Sequence, residues 1–409
     1  MKFNAFFLGI LLIGLGCREQ KIPEVTLQED VRILASDSLM GRETGKVGAE
    51  KAAAYLQKRM HDLGLQPFDT DQDYTQDFSF QPRQDPHAQV TFGADSDSSL
   101  HAKNLLGYID NGGSRTVILG AHYDHLGMGG EGSLYRGEPA IHNGADDNAS
   151  GVATLLKLSK MLKEWPEAKD NYLVILFSGE EIGLLGSNFF AKNPTLNLDQ
   201  VAYMINLDMV GRLRKDKTLS VSGTGTTPVW PQMLNSLNPG FKLVLSESGV
   251  GPSDHTSFYL QDIPVLHFFT GQHEDYHKPS DDAEKLNYEG MEEIAAYLFD
   301  LVKAMEAQEE IAFRKTKNES EQVPRFKVTL GVIPDYLFSG EGMRIDGVSE
   351  DKPAQNAGLQ KGDVVVKLGD STVVDMMSYM RALSSFEEGQ TTTVVVERNG
   401  EKVSAEVTF

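Results

Sequence analysis

Four short runs, TVILGAH (116–122), NYLVILFSG (171–179), VAYMINLD (201–208) and IPVLHFF (263–269), are apolar almost without interruption. A strand with one wet face alternates polar and apolar residues, so runs like these must be covered on both faces, as in sheets sandwiched between helices. Helical patterns such as VATLLKLSKML (152–162) separate them. The expected fold class is therefore α/β: a mostly parallel open sheet with helices on both faces.

Three of these runs lead straight into acidic or imidazole side chains. The first delivers His122 and Asp124, the second Glu180 and Glu181, and the third Asp208; the fourth passes through TGQHEDYH to His277. The segment GADDNASG adds Asp146 and Asp147 in a turn at the head of a helix. In open α/β sheets the carboxyl ends of the strands converge on the functional crevice. Each residue alone has an ordinary explanation as a helix cap, turn former or solvated charge. Together they would repel one another unless a cation sat among them, and a mixed imidazole and carboxylate set suits zinc or a similar transition ion. Adjacent Glu180 and Glu181 leave the strand in different directions, so one can bind metal while the other addresses a water. Asp124, two residues after His122, is placed to accept the other N–H of that imidazole and fix its tautomer.

The remaining chain divides around this core. The segment GAEKAAAYLQKRMHDLGLQPF sets Ala52, Leu56, Met60 and Leu63 on one helical stripe that stops at Gly64. Residues 69–99 carry a few alternating segments that suggest hairpin or edge strands. After Met305 the charged stretch to residue 324 reads as a linker, and residues 325–409 change to short alternating strands, with a hairpin turn at Asn399 and Gly400. With 59 acidic against 38 basic residues the net charge is −21, which repels nucleic acid and anionic membrane surfaces. The start, residues 1–17, has the layout of a secretory signal ending at the sole cysteine, Cys17. It resembles a bacterial lipoprotein signal, which implies lipidation at Cys17 and a lipid-anchored protein on the periplasmic side of the cell envelope; simple secretion is the alternative. With Cys17 so used, no disulfide is available.

The motifs AHYDHLG, NGADDNASGVA, FSGEEIGLLGS, INLDMVGR, GPSDHTSF and DYHKPSDD, in this order, resemble the double-zinc aminopeptidase family that includes bacterial leucyl aminopeptidases, aminopeptidase Y and the glutamate carboxypeptidases. The resemblance implies a zinc-exopeptidase domain over residues 24–305 with two Zn2+ per chain, other divalent transition metals being compatible. By motif, His122 and Asp208 would hold one ion, Glu181 and His277 the other, and Asp147 would bridge them. Glu180 would be the general base and acid, Tyr276 would help stabilise the oxyanion, and Asp254 and His255 would lie near the substrate. Every metal position is filled, which argues against the single-zinc glutaminyl cyclases. The C-terminal region, through LGVIPDY and GMRIDGVSEDKPAQNAGLQKGDVVVKLGD, resembles a PDZ domain. That resemblance implies a groove near Leu330, Gly331 and Val332 for the carboxyl terminus of a peptide.

The expected protein is a zinc-dependent exopeptidase that removes N-terminal residues from peptides, with the PDZ domain recruiting substrates or partners. A metallo-carboxypeptidase or dipeptidase of the same family is the rival within enzymes. A non-catalytic, peptide-binding envelope adaptor is the rival outside them.

Overall fold

The computed structural model describes residues 26–68, 73–81, 91–93, 99–130, 132–316, 328–335, 338, 340–348 and 352–409. The expected leader ending at Cys17 and the expected PDZ start near Arg325 lie outside the described residues.

The larger part is a ten-stranded sheet. Its strands are β1 (Gln66–Pro67), β2 (Thr75–Gln81), β3 (Thr91–Phe92), β4 (Leu100–Ile109), β5 (Thr116–His122), β6 (Asn171–Phe177), β7 (Val201–Leu207), β8 (Thr218–Ser222), β9 (Lys242–Leu245) and β10 (Val265–Phe269). The order across the sheet is β3-β2-β4-β6-β5-β7-β10-β8-β9, with β1 added to β4. The central strands β6, β5, β7 and β10 run parallel, whereas β4 pairs antiparallel with β6, and β8 with β10. The sheet is thus mixed: parallel where four apolar runs predicted it, antiparallel where β4 and β8 join that core, with β9 again parallel to β8. The flanks differ because β4 (LHAKNLLGYI) and β2 (TQDFSFQ) carry polar residues, and an antiparallel edge can leave one face wet.

The helices are α1 (Leu27–Leu34), α2 (Val47–Asp62), α3 (Gly151–Lys163), α4 (Leu185–Lys192), α5 (Trp230–Ser236), α6 (His255–Tyr259) and α7 (Tyr288–Glu306). They cover both faces. In β6, Tyr172, Val174 and Leu176 face a core shared with α1, α2, α3, α5 and α7, while Leu173, Ile175 and Phe177 face a second core built on Phe190 of α4 and Phe258 of α6. The expected stripe of α2, Ala52, Leu56, Met60 and Leu63, lies fully in the first core. Burying a Leu or Met side chain is worth roughly 1.5–3 kcal/mol. This one stripe therefore holds α2 against the sheet without help from caps, and its N-terminus has no side-chain cap.

Residues 307–316 form no regular element, yet they are docked rather than extended as a free linker. Phe313 packs on Tyr259 with ring centroids 5.6 Å apart, and the Arg314 N–H donates to the Thr226 carbonyl at 2.7 Å.

The second part has its own core around Leu330, Ile345, Val365, Leu368, Val394 and Val396. Its strands β11 (Val332–Pro334), β12 (Met343–Val348), β13 (Val364–Leu368), β14 (Ser371–Thr372), β15 (Thr391–Arg398) and β16 (Glu401–Thr408) all pair antiparallel in the order β11-β12-β13-β15-β16, with β14 on β13. Helices α8 (Pro353–Asn356) and α9 (Met376–Leu383) complete it. Asn399 and Gly400 both have positive φ, 53° and 83°, as a two-residue hairpin turn with the strand twist requires. The Asp375 carboxylate accepts the Ser378 N–H at 2.7 Å and so caps α9.

Candidate metal centre

Strand order reverses at β5: the chain goes from β5 outward to β6, then returns across β5 to β7. A crevice opens at the carboxyl ends of strands where such a reversal occurs. His122 is the last residue of β5, Asp208 follows β7 directly, and Glu180 and Glu181 lie just past the end of β6. His277 comes in a turn after β10 with φ 53°. Asp147 enters from the tight turn 145–150 ahead of α3.

That turn is stitched to the end of β7. Asn148 donates to the Leu207 carbonyl at 2.9 Å, and its Oδ1 accepts the N–H of Gly151 at 3.0 Å and of Met209 at 3.1 Å. A side chain at Gly151 would put its Cβ 2.3 Å from Asn148 Oδ1 and 2.5 Å from the Leu207 carbonyl oxygen, so only glycine lets α3 start this close to β7.

The five residues expected to hold metal converge. His122 Nε2 is 3.4 Å from Asp147 Oδ1 and 3.4 Å from Asp208 Oδ1. His277 Nε2 is 3.2 Å from Asp147 Oδ2 and 3.3 Å from Glu181 Oε2. Ligands about 2.0–2.1 Å from a tetrahedral ion stand about 3.3 Å from one another, so these spacings fit one ion in each group. The two oxygens of Asp147 face different groups, as a bridging carboxylate would.

The tautomers also fit. His122 Nδ1 is 3.2 Å from the Asp124 carbonyl, and His277 Nδ1 donates to the Gly132 carbonyl at 2.7 Å, which leaves each Nε2 with a lone pair turned into the site. The Asp124 carboxylate is farther from His122 Nδ1, at 3.6 Å. Its oxygens instead accept the Thr44 hydroxyl at 2.8 Å and the Glu180 N–H at 3.2 Å. Asp124 is thus a clamp between the N-terminal segment, the His122 strand end and the Glu180 loop.

Glu180 stands apart from both groups, with Oε2 4.0 Å from His122 Nε2. Burial pushes its carboxyl well above the usual range; the facing His122 opposes this, and the charges of Asp208, Asp254 and Glu181 add to it. The Tyr276 ring stacks on His277 with centroids 3.8 Å apart. Asp254 and His255 are completely buried. Burial raises the Asp254 carboxyl to about 7, and His255 stacks on His267 with centroids 4.7 Å apart.

Four residues not assigned from the sequence also reach the site. His125 Nδ1 is 2.6 Å from Glu181 Oε1, and with Asp147 and Glu181 it forms a second set able to hold a cation. Ser253 donates to Asp208 Oδ2 at 2.7 Å and receives the Asn206 amide at 2.8 Å, which fixes the carboxylate. Asp281 accepts the backbone N–H of Asp146 and Asp147 at 2.8 and 3.1 Å. The motif histidine in AHYDH gave one signal of this; the other contacts join segments far apart in the chain.

The fourth, Arg42, is fully buried, and its guanidinium donates to the carbonyls of Leu34, Tyr123, Asn143 and Gly144. Burial draws its pKa down to about 10 against the pull of Asp147, Asp124, Asp281 and Glu181, so it stays charged at neutral pH. It ties the loops on either side of the site to α1. Arg42→Met would strand four carbonyls and remove a buried charge, costing about 3 kcal/mol of stability and weakening metal binding. Urea unfolding of the metal-loaded protein and a competition titration for zinc check both effects; Met at no cost would mean the four carbonyls find other donors.

The fold is similar to those of solved zinc-dependent exopeptidases. It is similar to a Zn-dependent exopeptidase from Parabacteroides distasonis, with TM-score 0.53 and 19% identity over 69% of this chain and 99% of that one. It is also similar in fold to the glutaminyl cyclase of Porphyromonas gingivalis, with TM-score 0.54 and 16% identity over 68% of this chain and 97% of that one. Residues 104–302 match the Peptidase family M28 model and residues 311–409 the PDZ domain model, so the chain carries an M28 peptidase domain followed by a PDZ domain. Among curated relatives, the aminopeptidase YwaD of Bacillus subtilis is 30% identical over 202 residues, covering 46% of this chain and 41% of that protein. The chain spans less than half the length of the first curated relatives that it matches.

Proposed function

We propose that the protein is a zinc-dependent aminopeptidase that removes residues one at a time from the free amino end of peptides. The carrying observation is the pair of groups that share Asp147, His122 with Asp208 and His277 with Glu181, beside a glutamate that belongs to neither. Two divalent ions held by these residues would polarise the scissile carbonyl and bring the pKa of a shared water towards about 7.

Glu180 takes the proton of the attacking water and delivers it to the leaving nitrogen as the C–N bond breaks. Its raised affinity for protons suits it to both halves of that transfer. Tyr276, held beside His277 by stacking, offers a hydroxyl to the carbonyl oxygen as negative charge develops there. Asp124 and Ser253 hold Glu180 and Asp208 in place and take no part in the transfer. Removal from the amino end is favoured by the relatives named aminopeptidase. The leader would carry the enzyme to the cell envelope, with lipid on Cys17.

Mass spectrometry of matched free and N-acetylated peptides, incubated with zinc-loaded protein, tests the proposal. Stepwise loss from free amino ends with acetylated peptides spared supports it. Trimming from the carboxyl end would make the protein a carboxypeptidase, and no cleavage would leave a peptide-binding adaptor.

A further inference from the structure

His277 is held differently from its counterpart in the other group. His122 ends strand β5 and its partner Asp208 follows β7, whereas His277 lies in a turn after β10 with φ 53°. Its ring and its backbone both lean on one strip of chain. The Gly132 carbonyl accepts from His277 Nδ1 at 2.7 Å, and the Leu134 N–H donates to the His277 carbonyl at 3.0 Å. The aim of that imidazole is therefore only as fixed as the strip.

The strip has little regular structure to fix it. Residues 132–143 form no helix or strand, and Ser133 is the one buried residue from 132 to 141. The outer side of the strip faces a cavity of about 440 Å³ whose far wall is Gly331, Val332 and Lys352 of the PDZ domain, so it has to be held from within. Ser133 is too small to anchor it by apolar burial, which leaves hydrogen bonds. Its hydroxyl lies 2.7 Å from His142 Nε2 and accepts the Tyr135 N–H at 3.0 Å.

The donor and acceptor roles in this pair are set by the surroundings. His142 Nδ1 is 2.9 Å from the Ala140 carbonyl, which can only accept, so the ring proton sits on Nδ1. Burial lowers the pKa of His142, and the neutral ring turns the Nε2 lone pair to the Ser133 hydroxyl. His142 is itself buried and tied to the body of the domain: its N–H donates to the Gly127 carbonyl at 2.8 Å, and the Gly127 N–H to the Gly41 carbonyl at 2.9 Å. A continuous path thus runs from the N-terminal segment through His142, Ser133 and Gly132 to His277.

We propose that Ser133 and His142 are positioning residues for one of the two metal ions: through the Gly132 carbonyl they fix the His277 imidazole, and so set the affinity of the ion held by His277 and Glu181. The inference rests on the two-metal reading of the site. The ion at His122 and Asp208 is independent of this path, because the Asp208 carboxylate is fixed by Ser253 instead.

Competition titration of the metal-free protein with zinc against a chromophoric chelator tests this, with two binding steps resolved in the wild type. Ser133→Ala weakens one step by about 10- to 100-fold, the usual effect of losing a partner that orients a ligand, and leaves the other step unchanged. Ser253→Ala weakens the opposite step, which assigns the two. His142→Leu behaves as Ser133→Ala does, while His142→Gln, whose amide oxygen can accept the Ser133 hydroxyl, recovers part of the loss. Peptide hydrolysis by Ser133→Ala returns when zinc is raised through the weakened step, as it would not if Ser133 took part in the chemistry. Equal weakening of both steps by Ser133→Ala, the mark of a general loss of structure, overturns the inference, and so does no change in either. A wild-type protein that took up a single ion would overturn the two-metal reading and this inference with it.

Discussion

Glu180→Gln leaves the metal content of the protein unchanged and lowers the rate of peptide hydrolysis by roughly 10²- to 10⁴-fold, the usual contribution of a positioned general base. The amide fills the space of the carboxylate but cannot take a proton from water. Metal is retained because Glu180 lies outside both groups: its Oε2 is 4.0 Å from His122 Nε2, while Asp147 Oδ1 and Asp208 Oδ1 each stand 3.4 Å from that nitrogen. The backbone anchor survives too, since Asp124 accepts the main-chain N–H of residue 180 and not its side chain. Steady-state kinetics and elemental analysis of the same preparation check both halves. Full activity would remove Glu180 from the mechanism, and joint loss of metal and activity would make it a ligand.

Much of this site was legible because buried parallel strands tolerate so little polarity. In β5 and β6 every residue is buried, so His122 and the glutamates after Phe177 stand out at the boundary where the apolar run ends. The antiparallel flanks were legible only as edge strands within 69–99, not in their pairing, for the opposite reason. Strands such as β2, with burial only at Phe78 and Phe80, have weak periodicity, and their pairing is decided by neighbours far away in the chain. Arg42 shows the same limit at the level of one residue. Nothing in SLMGRETG singles it out, yet it is buried and donates to the carbonyls at positions 34, 123, 143 and 144. The charged stretch after Met305 looked like linker throughout because Ile311 and Phe313 are too few to show a period, although Phe313 is enough to dock it. The cleft between the domains combines residues from four separate segments, and no local pattern announces it.

Removing metal should lower the melting temperature by about 10 °C or more at neutral pH. An ion at 1,000 times its Kd adds about 4 kcal/mol per site, and a domain of this size moves by about 2–4 °C per kcal/mol. The structure explains why the loss is large: Asp147, Glu181 and Asp208 are held together, and apart from the Ser253 hydroxyl on Asp208 they are faced by His122, His125 and His277. In the metal-free protein, burial opposes charge on His122, but the carboxylates of Asp208 and Glu180 outweigh it and hold its pKa well above the ordinary value. His277 is raised in the same direction, with burial outweighed by Glu181 and Asp147. A histidine whose folded pKa is raised contributes stability below its unfolded value, about 6.5, and loses it as pH rises through the folded value. Protons therefore substitute for metal in acid and cease to do so in base. Metal binding has the opposite dependence, because each imidazole must give up its proton to become a ligand. The gap between the melting temperatures of zinc-loaded and chelated protein should consequently widen from pH 6 upward, which paired calorimetric scans would show. A gap that stayed constant or narrowed would mean that His122 and His277 are neutral in the metal-free protein and that the carboxylates are relieved by solvent instead.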